Sequence, residues 1–130
     1  MNKLLIKDAT IINEGKRSIE DIYIEGEFIK KIGVGIKLNN EVETINANGF
    51  LVIPGMIDDQ VHFREPGLTH RGDISTESKA AIAGGVTSYI EMPNTIPNTT
   101  TIEEFNNKIK NPSNNSFANC SFMFGGTNDN

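Results

Sequence analysis

Residues 54–67 read Pro54-Gly55-Met56-Ile57-Asp58-Asp59-Gln60-Val61-His62-Phe63-Arg64-Glu65-Pro66-Gly67. In an extended strand alternate residues point the same way. Asp58, Gln60, His62 and Arg64 therefore share one face, and Ile57, Val61 and Phe63 the other, with Asp59 the exception. A strand buried on both sides would be apolar throughout. Here one face is polar, and it runs into an imidazole, a guanidinium and a Glu-Pro-Gly turn. That pattern predicts a strand whose C-terminal end delivers side chains into a site.

Outward from this stretch the chain divides. Residues 3–53 read as short strands. Leu4-Leu5-Ile6 and Thr10-Ile11-Ile12 are β-rich, and Asp21 to Ile32 reads as a hairpin around Glu25-Gly26-Glu27. Val42–Ile45 is another strand, and Asn48-Gly49 is a turn before Phe50-Leu51-Val52-Ile53. After residue 70 the rhythm changes. Asp73 or Ser75 caps a helix to about Ala83, closed by Gly84-Gly85. Val86–Met92 reads as a buried strand ending at Pro93-Asn94. Thr101 and Glu104 form a capping box, with Ile102, Phe105 and Ile109 at helical spacing until Asn111-Pro112. Asn111–Asn115 reads as a polar loop, and Phe117–Phe124 as a further strand. Strand, helix, strand, helix, strand implies parallel strands with crossover helices.

The bulk properties exclude some classes. The chain has 130 residues and net charge −5, with dispersed acidic residues and no basic stripe for nucleic acid. The apolar runs are too short to span a membrane. The N-terminus is charged too early for a signal peptide, and the lone Cys120 provides no disulfide framework. The expectation is a cytoplasmic protein.

Individual residues admit more than one reading. His62 is a structural histidine or a metal ligand, since neutral imidazole is the commonest nitrogen ligand for zinc. Gln60 is a weak ligand, a group bonded to something bound, or the mark of a lost metal. Arg64 pairs with Glu65 at the surface or offers a planar fork to a substrate carboxylate. Asn94 is a turn residue or a ligand-binding group at a strand end. His70 is solvated, Asp73 is a cap, and Cys120 is a buried, inert thiol.

Residues 58–64 resemble the first-strand Asp-x-His-x-His-x-Arg signature of the amidohydrolase superfamily in its dihydroorotase version, with Gln60 in place of the first His. Met92-Pro93-Asn94-Thr95-Ile96-Pro97 resembles a second segment of the same family. The resemblance implies a partial TIM-type (β/α)8 barrel in 54–130, comprising two β/α units and a third strand, preceded by a small β-sandwich segment in 1–53. A closed barrel needs roughly 250 residues, so the expectation is the front third of a longer enzyme. Such a piece would fold poorly alone, because its last strand has an open edge.

The implied reaction is reversible hydrolysis of dihydroorotate to N-carbamoyl-aspartate in pyrimidine biosynthesis, by a metal-bound hydroxide. His62 and, as a weaker ligand, Gln60 would hold metal, one or two zinc ions, with Asp58 in a supporting role. Arg64 and Asn94 would hold the substrate carboxylate. The general base is expected beyond Asn130, so these residues alone should show no turnover. The implied partners are a carboxylate-bearing small molecule and a second copy or another pyrimidine-pathway enzyme. Allantoinase-type or hydantoinase-type enzymes, and a non-catalytic dihydroorotase-like scaffold, are the alternatives. Gln60 favours the scaffold.

Overall fold

The computed structural model describes residues 2–110 and 115–130, and the chain falls into two compact units, residues 1–54 and 55–130. In the first unit, β1 (Lys3–Asn13) and β2 (Lys16–Glu25) form a long antiparallel pair, and β3 (Phe28–Gly33) pairs antiparallel with β2. Both β4 (Glu43–Asn46) and β5 (Leu51–Val52) run parallel to β1. The result is one five-stranded sheet, order β3-β2-β1-β4 with β5 also on β1. A sandwich needs a second sheet, and the described residues of this unit form one.

Leu4–Ile6 and Thr10–Ile12 belong to a single strand rather than two. A register shift between Ile6 and Ala9 accommodates Asp8, whose φ of 57° is left-handed. The buried Asp21 holds this bulge. Its carboxylate accepts from the Asp8 amide at 2.9 Å and the Ile36 amide at 2.8 Å. Those amides, the first above all, keep its pKa below the usual carboxylate value despite burial.

The second unit is a three-stranded parallel sheet, order β6 (Met56–Val61), β7 (Val86–Glu91) and β8 (Asn119–Phe122). Helix α1 (Ile74–Ala83) connects β6 to β7, and α2 (Ile102–Lys110) lies between β7 and β8. As expected, Asp73 caps α1, accepting from the Thr76 amide at 2.8 Å. At α2, the Glu104 amide donates to Thr101 Oγ1 at 3.2 Å. The expected stop at Asn111-Pro112 and nearly all of the Asn111–Asn115 loop lie outside the described residues. Among the described residues, no helix is long and apolar enough to cross a membrane.

Val61, Phe63, Ile74, Tyr89 and Ala118 form the core of this unit. The Phe63 and Tyr89 rings meet at 4.5 Å between centroids. Cys120 packs against this cluster and is half-buried, not fully buried.

One expectation fails here for a physical reason. The 54–64 stretch is not one regular strand. From Asp58 to Val61 β6 takes three steps while β7 takes two from Tyr89 to Glu91, so an extra residue bulges from β6. Simple alternation is lost, and Ile57 is 69% exposed while Val61 and Phe63 are buried. On α2, Ile102 and Ile109 are exposed and the buried residue is Lys108.

Candidate active site

Parallel strands share a polarity, so β6 and β7 bring their C-terminal ends together, and the chemistry-bearing residues sit just past those ends. The β6 bulge has a local cause. Asp58 Oδ1 accepts from the Gln60 amide at 3.1 Å, a side-chain turn that competes with the ladder. Asp58 thus shapes the backbone that carries Gln60 and His62, both exposed.

Beyond the strand, His62 Nδ1 lies 2.9 Å from Asn94 Oδ1. An amide oxygen only accepts, so Nδ1 is the donor in this contact and Nε2 is left for another partner. This is how a ligating histidine is held when a neighbour fixes its tautomer. Asn94, from the far side of the β7 end, therefore meets His62, and no bond joins it to Arg64.

Arg64 has φ of 73°, the left-handed region that non-glycine residues seldom occupy. It is half-buried and takes part in no ion pair among the described residues. Glu65 accepts instead from the Ile74 amide at 2.9 Å, tying the turn to the start of α1. Gly67, at φ 85°, packs so tightly on the 94–97 loop that a Cβ would overlap the Ile96 carbonyl. The Ile96 amide donates to Pro66 O at 3.1 Å, so the two loops are interlocked. His70 is exposed.

Beneath these groups lies a pair that the sequence reading missed. Glu91, the last residue of β7, is fully buried. Its Oε2 accepts from the Phe63 amide at 2.8 Å and its Oε1 from the Arg64 amide at 3.2 Å. Lys108 of α2 is buried too. Its Nζ donates to Met92 O at 2.8 Å and lies 3.9 Å from Glu91 Oε1. Burial pushes the Glu91 carboxyl above its usual range, opposed by the Phe63 amide and the Lys108 ammonium. Burial pushes Lys108 down, opposed by Glu91. A lone carboxylate at the end of a strand read as buried was the available signal for Glu91. Nothing distinguished Lys108 from the solvated lysines.

A metal centre would need more donors than these. Among the described residues no group of three His, Cys, Asp or Glu could hold an ion. His62 can supply one nitrogen, and Gln60 one amide oxygen.

A family profile described as Dihydro-orotase-like matches residues 49–118. Over 96 residues, 72% of this chain and 23% of the relative, the sequence is 44% identical to a dihydroorotase of Trichlorobacter lovleyi. It is 42% identical over 101 residues, 78% of this chain and 24% of the relative, to a dihydroorotase of Staphylococcus aureus. The chain thus spans about a quarter of the length of the curated relatives it matches. Among solved structures it resembles an L-hydantoinase (dihydropyrimidinase) from Arthrobacter aurescens, with TM-score 0.91, 29% identity, and coverage of 98% of this chain and 29% of that one. A D-hydantoinase from Thermus sp. matches with TM-score 0.77 and 36% identity, over 93% of this chain and 27% of that one. The hydantoinases belong to the same amidohydrolase superfamily, and the matched span makes this chain a member of the dihydro-orotase-like family of cyclic amide hydrolases.

Proposed function

We propose that residues 55–130 form the first part of a (β/α)8-type dihydroorotase barrel, with residues 1–54 as one layer of a small β-sandwich. The reaction is reversible hydrolysis of dihydroorotate to N-carbamoyl-aspartate. Water adds across the ring amide. The C–N bond breaks, the oxygen stays on the carbonyl carbon, and the nitrogen leaves with a proton. The observation that carries this reading is the placement of His62, Arg64 and Asn94 just beyond the ends of adjacent parallel strands, where sites of such folds are built.

In this reading Arg64 grips the carboxylate that distinguishes dihydroorotate from an uncharged ring, and Asn94 assists while orienting His62. His62 Nε2, with Gln60 as a weaker donor, contributes to a zinc site whose other ligands and general base come from outside the described residues. Bound zinc would lower the pKa of water and polarise the amide carbonyl. The protein works in the cytoplasm, as an oligomer or beside another enzyme of the pathway.

The hydantoinase reading is supported by the two hydantoinase structures, with TM-scores of 0.91 and 0.77. Arg64 favours the carboxylate-bearing substrate. The test uses the full-length gene product. His62→Ala should lower the zinc bound per chain. Arg64→Met should raise KM for dihydroorotate roughly 100-fold, the scale of a lost bidentate charge pair. Unchanged zinc content and unchanged KM would defeat the assignment.

A further inference from the structure

We propose that Glu91, backed by Lys108, is a positioning residue for Arg64: a buried clamp that fixes the backbone at the β6 exit and so aims the guanidinium. The inference rests on the reading of Arg64 as the carboxylate-binding group. Glu91 and Lys108 touch no substrate in it.

The geometry is specific. A backbone at φ 73° is unfavourable for arginine, and something must hold it. The two amides that bracket this turn, those of Phe63 and Arg64, both end on the Glu91 carboxylate, at 2.8 and 3.2 Å. An ionised carboxylate can accept both at once, one on each oxygen. A carboxamide offers a single oxygen and could satisfy only one well. Glu91 is also the last residue of β7, so one side chain locks the β6 exit onto the β7 end. Lys108 closes the same knot from α2. Its ammonium bonds to Met92 O at 2.8 Å, two residues before Asn94, and faces Glu91 at 3.9 Å. Both strand exits that carry candidate substrate groups are therefore tied to one buried ion pair. A pair placed only for stability need not converge on the backbone amide of a strained arginine. Substituting a well-packed apolar pair would be as stable.

The test has a structural arm and a kinetic arm. In the wild-type full-length gene product, hydrogen exchange by NMR should show the Phe63 and Arg64 amides protected, and Glu91→Gln should release at least one of them. Kinetically, Glu91→Gln should raise KM for dihydroorotate about tenfold, the scale of one lost bond to a charged group, with kcat changed less than about threefold. In an Arg64→Met background the same change should add nothing further to KM, because the group it aims is gone. General damage to the fold would lower kcat and would add in both backgrounds. Glu91→Asp keeps the charge but shortens the reach, and should fall between wild type and Glu91→Gln. It provides the readout if Glu91→Gln does not fold. Unprotected wild-type amides would overturn the clamp, and an additive KM effect would overturn the positioning role. If the wild type does not hydrolyse dihydroorotate, the substrate reading fails, and the exchange arm still decides whether Glu91 holds Arg64.

Discussion

Replacing Lys108 by Met isolates the energetics of the buried pair. The aliphatic stem is retained and the ammonium removed. At the observed 3.9 Å and an effective dielectric of about 20, the gross attraction to Glu91 is about 4 kcal/mol. Desolvation of both ions offsets much of it, so the intact pair adds little net stability. The variant is different, because it strands a buried carboxylate and leaves Met92 O without its donor. Removing one partner of such a pair costs about 3–5 kcal/mol. We expect a loss of about 3 kcal/mol at pH 7, since the two backbone amides still solvate the carboxylate. Urea unfolding of the full-length gene product, with and without the substitution, measures it. The sign of the pH dependence follows from Glu91. Its folded pKa lies above the usual carboxylate value, so its contribution is full at low pH and lost as pH rises through the raised value. Removing the ammonium strengthens this, so the deficit of Lys108→Met should shrink as the solution is acidified. Adding Glu91→Gln should cost less than the sum of the two changes. A deficit under about 0.5 kcal/mol, or strict additivity, would refute the buried pair.

Three further outcomes follow from the structure. Asp21 has a lowered folded pKa, so its contribution is present above the ordinary carboxylate value and lost as pH falls through the lowered one. Asp21→Asn should cost about 1–3 kcal/mol at neutral pH and weaken the acid sensitivity, measured by urea unfolding of the full-length gene product across a series of pH values. Gly67→Ala should destabilise the loops by more than about 1 kcal/mol, because φ is 85° and the Cβ meets the Ile96 carbonyl, seen as a lowered Tm. Residues 1–130 alone should show no dihydroorotate hydrolysis above a His62→Ala control in a coupled spectrophotometric assay. Turnover would show that the remaining catalytic groups lie within this stretch.

Much of the local structure was legible because it depends on neighbours in sequence. Asp73 caps its helix through a contact three residues away, and the parallel strands follow from their alternation with helices. The bulges at Asp8 and between Asp58 and Val61 were not legible. Each arises where an aspartate engages the backbone, Asp58 with Gln60 locally and Asp21 with Asp8 across a strand pair. They disturb the period-two pattern on which strand reading depends, which is why Ile57 was misplaced. Lys108 was missed for a similar reason. The apolar residues of α2 suggest one buried face, but a charge buried by a partner 17 positions earlier leaves no periodic trace. In the site, residue types were readable, whereas the pairing of His62 with Asn94 needed both strand ends in place.

The most direct measurement is a competition between rings with and without a carboxylate, using the full-length gene product loaded with zinc. Dihydroorotate and dihydrouracil differ only in that group. The account predicts that dihydroorotate is hydrolysed with a kcat/KM at least about 100-fold higher, and that Arg64→Met abolishes the preference. Preferential hydrolysis of dihydrouracil or hydantoin, with Arg64→Met without effect, would contradict it.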